Sequence, residues 1–298
     1  MIADAHVHFF SAGFFRALGV EAGVQGDAAH LLPTQLGWES PGGSEELADR
    51  WVGEMDRSGV DRAMIIASIP ADEEAVAAAR ARHPTRFVGA FMLNAGAEDA
   101  SMRARRAFSE LGLSTVCLFP AMHGVPVDSP GSQAVFAEAA RAGGAVFVHC
   151  GVLSVGVRRK LGLPSYFDLR LGDPLAVAAV AVRHPSVPVV IPHFGAGFFR
   201  ETLMAASVAP NIHLDTSSSN AWINLEPGLT LRVVFERALD VVGPRRLLFG
   251  TDSSFFPRGW QRGTFDNQRA VLGEIGVAEA DQAAIFGGNF DRVYPRAR

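Results

Sequence analysis

The chain has 298 residues, a formal net charge of -4, two cysteines and 48% hydrophobic residues, so it can bury a large core as two domains or one α/β barrel. The weakly acidic balance and scattered arginines exclude a general nucleic-acid binder, and two cysteines exclude a disulfide framework. The sequence contains no apolar run of about 18 residues, so no membrane span is predicted. We expect a cytoplasmic protein with a small-molecule substrate.

Short β-branched runs alternate with Ala-rich amphipathic stretches, the pattern of βα units around a parallel sheet. Strands are predicted at residues 2–8, 61–68, 86–93, 114–120, 145–150, 187–193, 211–215 and 246–252. Helices are predicted at residues 44–58, 72–83, 98–111, 132–143, 173–184, 197–208, 228–242 and 263–275. No linker or low-complexity tract divides these eight units, which favours one domain over residues 1–298.

The first predicted strand, in "MIADAHVHFF", alternates ionisable and apolar residues. Because successive side chains of a strand point to opposite faces, Asp4, His6 and His8 are predicted to share one face. Ala3, Ala5, Val7 and Phe9 would then take the other face. Two imidazoles beside a carboxylate suggest a site.

Two loops are longer than a typical βα connection, residues 10–43 after the first strand and 151–172 after the fifth. Both carry aromatic residues, among them Phe10 and Trp38 in the first and Tyr166 in the second. These rings either contact a cyclic or aryl substrate or pack beneath a loop or at a subunit interface.

Groups that can bind a metal end several predicted strands, each of which is hydrophobic before its polar end. If the eight units close into a barrel, the carboxyl ends of the strands form the reactive rim. Imidazole and carboxylate suit zinc and similar divalent ions. These strand ends carry His6, His8, His149, His193 and Asp252.

The ordered motifs "DAHVHF", "VHCG", "PHFGAG", "LLFGTDSS" and "FGGNFDRVYP" resemble the amidohydrolase superfamily, in the branch of aminocarboxymuconate-semialdehyde decarboxylase. The resemblance spans essentially the whole chain and implies a (β/α)8 barrel and a homodimer. It implies one divalent ion, commonly zinc with manganese as the other option, held by His6, His8, His149 and Asp252. His193 would serve beside it as a ligand or an acid/base group.

One motif departs from the binuclear relatives, which place a carboxylated lysine or a glutamate at the end of the fourth strand. The sequence reads "STVCLFPAMHG" there, without a lysine or acid, and this favours a single metal. Asp4 is expected to support the site from behind, either by orienting a ligand imidazole or by hydrogen bonding within the barrel interior.

Three functions are compatible with this site. The first is hydrolysis of an amide, lactone or related ester by metal-activated water, with His193 or Asp252 moving the proton. The second is non-oxidative decarboxylation of a small carboxylic acid. Decarboxylase relatives place an arginine early in the first insertion, whereas residues 17–49 contain no arginine or lysine. The third is a barrel that binds without catalysis.

Substrate contacts are expected from residues in the loops at the reactive rim. The aromatic candidates follow the first and eighth strands, and the alternative for each is core packing. The basic candidates follow the sixth and eighth strands, and the alternative for each is a surface ion pair. The candidates are Phe10, Trp38, Phe255, Trp260, Arg200 and Arg258.

Overall fold

The computed structural model describes residues 1–165, 167–217 and 221–294, without the side chain of residue 221. Eight parallel strands follow one another around a sheet in the order β1 to β8. They are β1 Ala3–Phe9, β2 Arg62–Ala67, β3 Phe87–Met92, β4 Thr115–Leu118, β5 Ala145–Val148, β6 Val189–Ile191, β7 Ile212–Asp215 and β8 Leu247–Leu248.

Helices connect the strands and surround the sheet. The longer helices are α1 Ala12–Glu21, α2 Ala28–Leu36, α3 Ser44–Ser58, α4 Glu73–Arg82, α5 Ala100–Ser109, α7 Pro130–Ala142, α9 Pro174–Ala181, α10 Phe199–Val208, α11 Leu231–Val242 and α12 Arg262–Glu274. The short ones are α6 Pro120–His123, α8 Gly156–Lys160, α13 Glu279–Ala283 and α14 Asn289–Val293. None of the helices in the described parts of the chain is long and apolar enough to cross a membrane.

The sheet closes between its first and last strands. The amide of Ala5 donates to the carbonyl of Phe249 at 2.8 Å, and the amide of Asp252 donates to the carbonyl of His6 at 2.9 Å. Val7 and Ser253 form a parallel bridge farther along. The predicted single-domain (β/α)8 barrel is therefore confirmed.

The strands are buried on both faces because helices cover the outside of a filled barrel. The interior is packed by side chains such as Met64, Ile66 and Phe147. The lower end, where the strands begin, is covered by α14, whose Phe290 and Val293 join the interior cluster.

Several strands end earlier than the sequence pattern predicts. Strand β8 stops at Leu248, although the hydrophobic run predicted a strand to residue 252, and β6 stops at Ile191. His193 and Asp252 beyond these ends have φ angles of 55° and 59°. An extended ladder cannot include a left-handed residue, so the reactive rim starts where the ladder ends.

The two long loops after β1 and β5 are confirmed, and they pack on each other. The first contains α1 and α2, which the sequence pattern did not predict, and the second contains α8. Phe14 and Phe15 of α1 and Leu32 of α2 form an apolar cluster with Val157 of α8. This cluster builds one side of the opening above the barrel.

Candidate active site

The five predicted ligand-type residues come together at the carboxyl end of the barrel. The ring centre of His6 lies 5.1 Å from that of His8 and 4.9 Å from that of His193. The rings of His193 and His149 are 5.4 Å apart, and Asp252 contacts both imidazoles of β1. Distant segments of the chain therefore meet at one point.

A bulge in β1 directs its two histidines inward. The register with β2 shifts between Asp4 and Val7, so the strand carries one extra residue there. Ala3 and Ala5 pack in the barrel interior, whereas Val7 and Phe9 pack against the helices. The predicted simple alternation from Asp4 to His8 is therefore wrong, because the bulge changes the phase of the strand.

Asp4 holds the backbone around this bulge. Its carboxylate accepts hydrogen bonds from the amides of His6 at 2.9 Å and Thr251 at 3.1 Å. It also accepts the indole N–H of Trp260 at 2.7 Å. Asp4 thus ties β1 to the segment after β8 through main-chain amides and the side chains of Thr251 and Trp260.

His6, His8 and Asp252 form the tightest donor group, with one ligand atom from each lying within 4.8 Å of the others. The Asp252 Oδ1 atom is 3.1 Å from Nε2 of His8 and 3.6 Å from Nε2 of His6. Two imidazole nitrogens and a carboxylate oxygen suit zinc or manganese. These residues therefore fit a divalent ion.

His149, the expected fourth ligand, lies beside this group of three. Its ring stacks on Phe119 with 5.3 Å between centres. Its Nδ1 atom is buried and has no hydrogen-bond partner among the described residues. Its metal-binding role stays a prediction.

Hydrogen bonds behind the two β1 imidazoles determine which nitrogen faces the centre. The Nδ1–H of His6 donates to Asp215 at 2.6 Å. The Ser68 hydroxyl donates to the carbonyl of Ile66, so it accepts from Nδ1 of His8 at 2.7 Å. Both rings consequently direct Nε2 toward Asp252, and this is the nitrogen that would bind a cation after losing its proton.

Asp215 and Ser217 contact two of the site histidines, and the sequence reasoning missed both. The amide of Ser217 donates to Asp215, and Nδ1 of His193 donates to the carbonyl of Ser217 at 3.0 Å. The Ser217 hydroxyl lies 3.1 Å from Nδ1 of His6 and 2.9 Å from Nδ1 of His193. The signal was present, because "NIHLD" also ends a hydrophobic strand with a carboxylate.

At His6 and Asp252, burial and the neighbouring charges shift the pKa in opposite directions. Burial lowers the pKa of His6, but the adjacent Asp215 carboxylate, together with Asp252 and Asp4, raises that pKa to about 9. Burial raises the pKa of Asp252, but the hydrogen bond with His8 and the nearby His6 and His193 hold it below its usual range. Burial lowers the pKa of His149 and of His193. A bound cation would favour the same ionised carboxylate, and it would displace the proton of His6, because a ligand imidazole is neutral.

The "PHFGAG" segment holds His193 in a strained turn. His193, Phe194 and Ala196 all have left-handed φ angles, which cost energy in residues with side chains. A Cβ on Gly151 would lie 2.1 Å from the carbonyl oxygen of Gly195. The loops carrying His149 and His193 therefore approach each other so closely that only glycine fits at position 151.

A cavity of about 440 Å³ opens above the donor group. One side consists of stacked rings, with Trp38 3.9 Å from Phe255 and 6.0 Å from Phe10 between ring centres. Three basic side chains also line it, namely Arg159, Lys160 and Arg258. The space suits a small planar molecule with an acidic group.

Phe10, Trp38, Phe255 and Arg258 lie at the cavity as predicted, but two other candidates do not. Arg200 lies on α10 and lines a separate surface cleft with Glu201. Trp260 is 4% exposed because its indole N–H is directed to Asp4. Both predictions are corrected, and Tyr166 lies outside the described residues.

Solved structures with this fold include several enzymes of small cyclic acids. The 5-carboxyvanillate decarboxylase of Sphingomonas paucimobilis is 16% identical, with a TM-score of 0.66 over 99% of both chains. The 5-carboxyvanillate decarboxylase of Novosphingobium aromaticivorans, solved with bound manganese and 3-methoxy-4-hydroxy-5-nitrobenzoic acid, is 13% identical, with a TM-score of 0.64 over 99% of this chain and 97% of the other. A probable 2-pyrone-4,6-dicarboxylic acid hydrolase of Acinetobacter baumannii, with citric acid bound, is 13% identical, with a TM-score of 0.60 over 98% of each chain.

At these identities the likenesses establish the fold. No curated protein shows significant sequence similarity to the chain. The family model of the amidohydrolases matches residues 3–296, which include every strand and all five ligand-type residues. The chain therefore belongs to the amidohydrolase family.

Proposed function

We propose that this protein is a divalent-metal-dependent decarboxylase of a small, planar, cyclic carboxylic acid. The observation that carries the proposal is the cavity, which combines the His6, His8 and Asp252 donor group with stacked aromatic rings and three basic side chains. A planar ring gains contact with the aromatic side, and an acidic substituent is attracted by the cations. Two of the structures described above are decarboxylases of an aromatic acid.

The basic residues answer the objection raised by the first insertion, which has no arginine or lysine at residues 17–49. In this chain the cations come from other loops. Arg159 and Lys160 follow β5, and Arg258 follows β8. An acidic substrate therefore has cationic partners without the early arginine of the decarboxylase relatives.

His6, His8 and Asp252 would hold a single Zn²⁺ or Mn²⁺ ion, with His149 as the fourth ligand. Such an ion acts as a Lewis acid toward oxygen atoms of the substrate. The outer hydrogen bonds of His6 to Asp215 and of His8 to Ser68 fix both rings in the ligand tautomer. These outer partners act before the substrate arrives, by setting the direction of Nε2.

The chemical step needs a proton at the reacting carbon. The bond between that carbon and the carboxylate breaks, carbon dioxide leaves, and the electron pair that remains takes up a proton. His193 and Asp252 line the cavity; His193 is the candidate proton donor, regaining the proton from water, because Asp252 is held ionised. The hydrogen bond from Nδ1 of His193 to the carbonyl of Ser217 leaves Nε2 to carry the transferred proton.

Hydrolysis of a cyclic ester is the second candidate, and the burial of His193 favours it. Burial lowers the pKa of this imidazole, and a neutral imidazole accepts a proton from water. The likeness to a probable hydrolase of a pyrone dicarboxylic acid points the same way. Both candidates share the metal and the acidic cyclic substrate, and they differ in the bond that breaks.

The experiment that tests the proposal uses protein loaded with Mn²⁺ or Zn²⁺ and a panel of hydroxybenzoic acids and lactone acids in deuterated water. Decarboxylation releases carbon dioxide and leaves deuterium at the vacated ring carbon, which NMR detects. Ring opening without carbon dioxide would select hydrolysis instead. Stoichiometric metal with no turnover on either panel would favour the binding barrel. Protein treated with chelator is the control and should be inactive.

A further inference from the structure

Arg258 differs from the other two cations of the cavity in how it is held. Its Nη2 atom donates to the hydroxyl of Ser254 at 2.7 Å and approaches the carbonyl oxygen of Asp252 at 3.3 Å. The guanidinium is therefore tethered to the same loop that supplies the metal-binding carboxylate. A cation at this place has a fixed position relative to the centre.

Aromatic stacking gives the guanidinium a second support. Its Cζ atom lies 4.5 Å from the ring centre of Phe255, which in turn stacks on Trp38 at 3.9 Å. Stacking on a ring holds the guanidinium plane without using its other N–H donors. Lys160 lies 5.6 Å from the ring of Trp38, where an ammonium on a flexible stem is free to move.

Along the described lining of the cavity, three cationic side chains face a single acidic one. Among the described residues that line it, Asp252 is the acidic side chain, and its carboxylate faces His6 and His8. A substrate whose single carboxylate lies at the metal centre would give Arg258 no anionic partner of its own, since the nearby Asp252 carboxylate is shared with His6 and His8. A ring with two acidic groups would satisfy both positions.

We propose that Arg258 selects substrates that carry a second acidic group, binding that group while the reacting carboxylate lies at the His6, His8 and Asp252 centre; this rests on the proposed function. The substrate class is then a cyclic diacid. The N–H groups of Nε and Nη1 are not used by Ser254, so each can donate to a carboxylate oxygen while the positive charge attracts the anion. Arg258 is a specificity-determining residue in this assignment.

The test measures binding of two unreactive probes, benzoate and isophthalate, to the metal-loaded protein by calorimetry. We expect the wild-type protein to bind isophthalate about tenfold more tightly than benzoate, as one good ion pair would give. Arg258→Met should remove this preference and leave benzoate affinity within about twofold. Arg258→Lys keeps the charge without the planar donors and should restore only part of the preference.

Two variants separate a positioned anion partner from general charge. Lys160→Met removes a cation of the same cavity, and Arg200→Met removes one from a different cleft. Both should retain the isophthalate preference, with Lys160→Met only lowering the salt dependence of binding. Equal loss in Lys160→Met and Arg258→Met would overturn the assignment.

The remaining outcomes are also decisive. A wild-type protein that binds the two probes equally, or an Arg258→Met variant that keeps the preference, overturns the role of Arg258 and leaves the proposed function intact. Binding of neither probe overturns both proposals. Metal-dependent binding of both probes with the expected preference, but no carbon dioxide from any acid, supports Arg258 and overturns the decarboxylase.

Discussion

The two ends of the barrel are built from different interactions. At the carboxyl end, buried imidazoles and carboxylates are held by hydrogen bonds, and His193 and Asp252 have left-handed backbones. At the other end α14 covers the interior with Phe290 and Val293. Asn289 fixes this helix by donating to the carbonyl oxygens of Pro244 and Leu247 at 2.7 and 2.6 Å.

The difference separates function from stability. A cluster of buried polar groups and strained turns costs folding free energy, and the cost is tolerated where chemistry needs the groups. Apolar covering of the opposite end contributes stability without taking part in chemistry. Substitutions at the two ends should therefore have opposite signatures, one in metal binding and activity and the other in unfolding.

The largest effect should follow removal of a ligand at the carboxyl end. His8→Ala removes one donor of the three-residue group, and we expect metal content to fall from about one equivalent to almost none. Activity should fall about a thousandfold or more, because the chemistry depends on the ion. Metal analysis and melting temperature are the measurements, and the melting temperature of the metal-free protein should change little.

His30→Ala is the matched control, since His30 is exposed on α2. It should retain the metal of the wild-type protein. A His8→Ala protein with full metal content would contradict the assigned centre.

At the opposite end, Phe290→Ala should destabilise the fold by about 3 to 5 kcal/mol, the usual cost of deleting a buried aromatic ring. Phe290 is 1% exposed, packs edge-to-face on Tyr294 and lies beneath the guanidinium of Arg62. Urea unfolding gives the free energy, and metal content of the folded fraction should equal that of the wild-type protein.

Val208→Ala provides the comparison for this change, because Val208 is 63% exposed on α10. Its stability should lie within about 0.5 kcal/mol of the wild-type value. If Phe290→Ala lost metal at unchanged stability, the proposed division between the two ends would be wrong.

The sequence predicted which residues gather at the carboxyl end of the barrel, but it did not predict the contacts that these residues make there. Polar residues at hydrophobic strand ends identified His6, His149 and Asp252, because the carboxyl ends of parallel strands always meet. Strict alternation failed at Asp4, since an inserted residue in β1 has no signature in the hydrophobic pattern. Trp260 was misplaced because the partner of its indole N–H, Asp4, lies 256 positions away.

A third prediction concerns Asp215, which lies behind the ligand His6. Asp215→Asn keeps the shape but replaces the charged acceptor of the Nδ1–H, so the imidazole loses its fixed tautomer. We expect a loss of about 10- to 100-fold in metal affinity, measured by competition with a chelator. Asp240→Asn, at an exposed position of α11, should leave the affinity unchanged.

The smallest expected effect concerns a buried carboxyl group at the carboxyl end of the barrel but outside the metal centre. It tests whether burying this group lowers the free energy of unfolding. Asp72 is 8% exposed and accepts the hydroxyl of Ser11, the residue that caps α1. Burial raises the pKa of Asp72 to about 6, with Glu73 adding to the rise and the contacts with Ser11 and Arg16 opposing it. The folded protein therefore retains a proton that the unfolded chain releases near its ordinary pKa of 3.8.

The sign of the pH dependence follows from this difference. Between about pH 4 and pH 6 the folded state binds more protons at Asp72, so its contribution to stability falls as pH rises. The side chain of Asp72→Asn cannot ionise. We therefore expect the free energy of unfolding of this variant, relative to that of the wild-type protein, to rise by about 2 kcal/mol between pH 4 and pH 7. Urea unfolding of both proteins across this range measures the gain. A constant difference would show that the Asp72 carboxyl ionises equally in both states, and that desolvation at this end is confined to the metal centre.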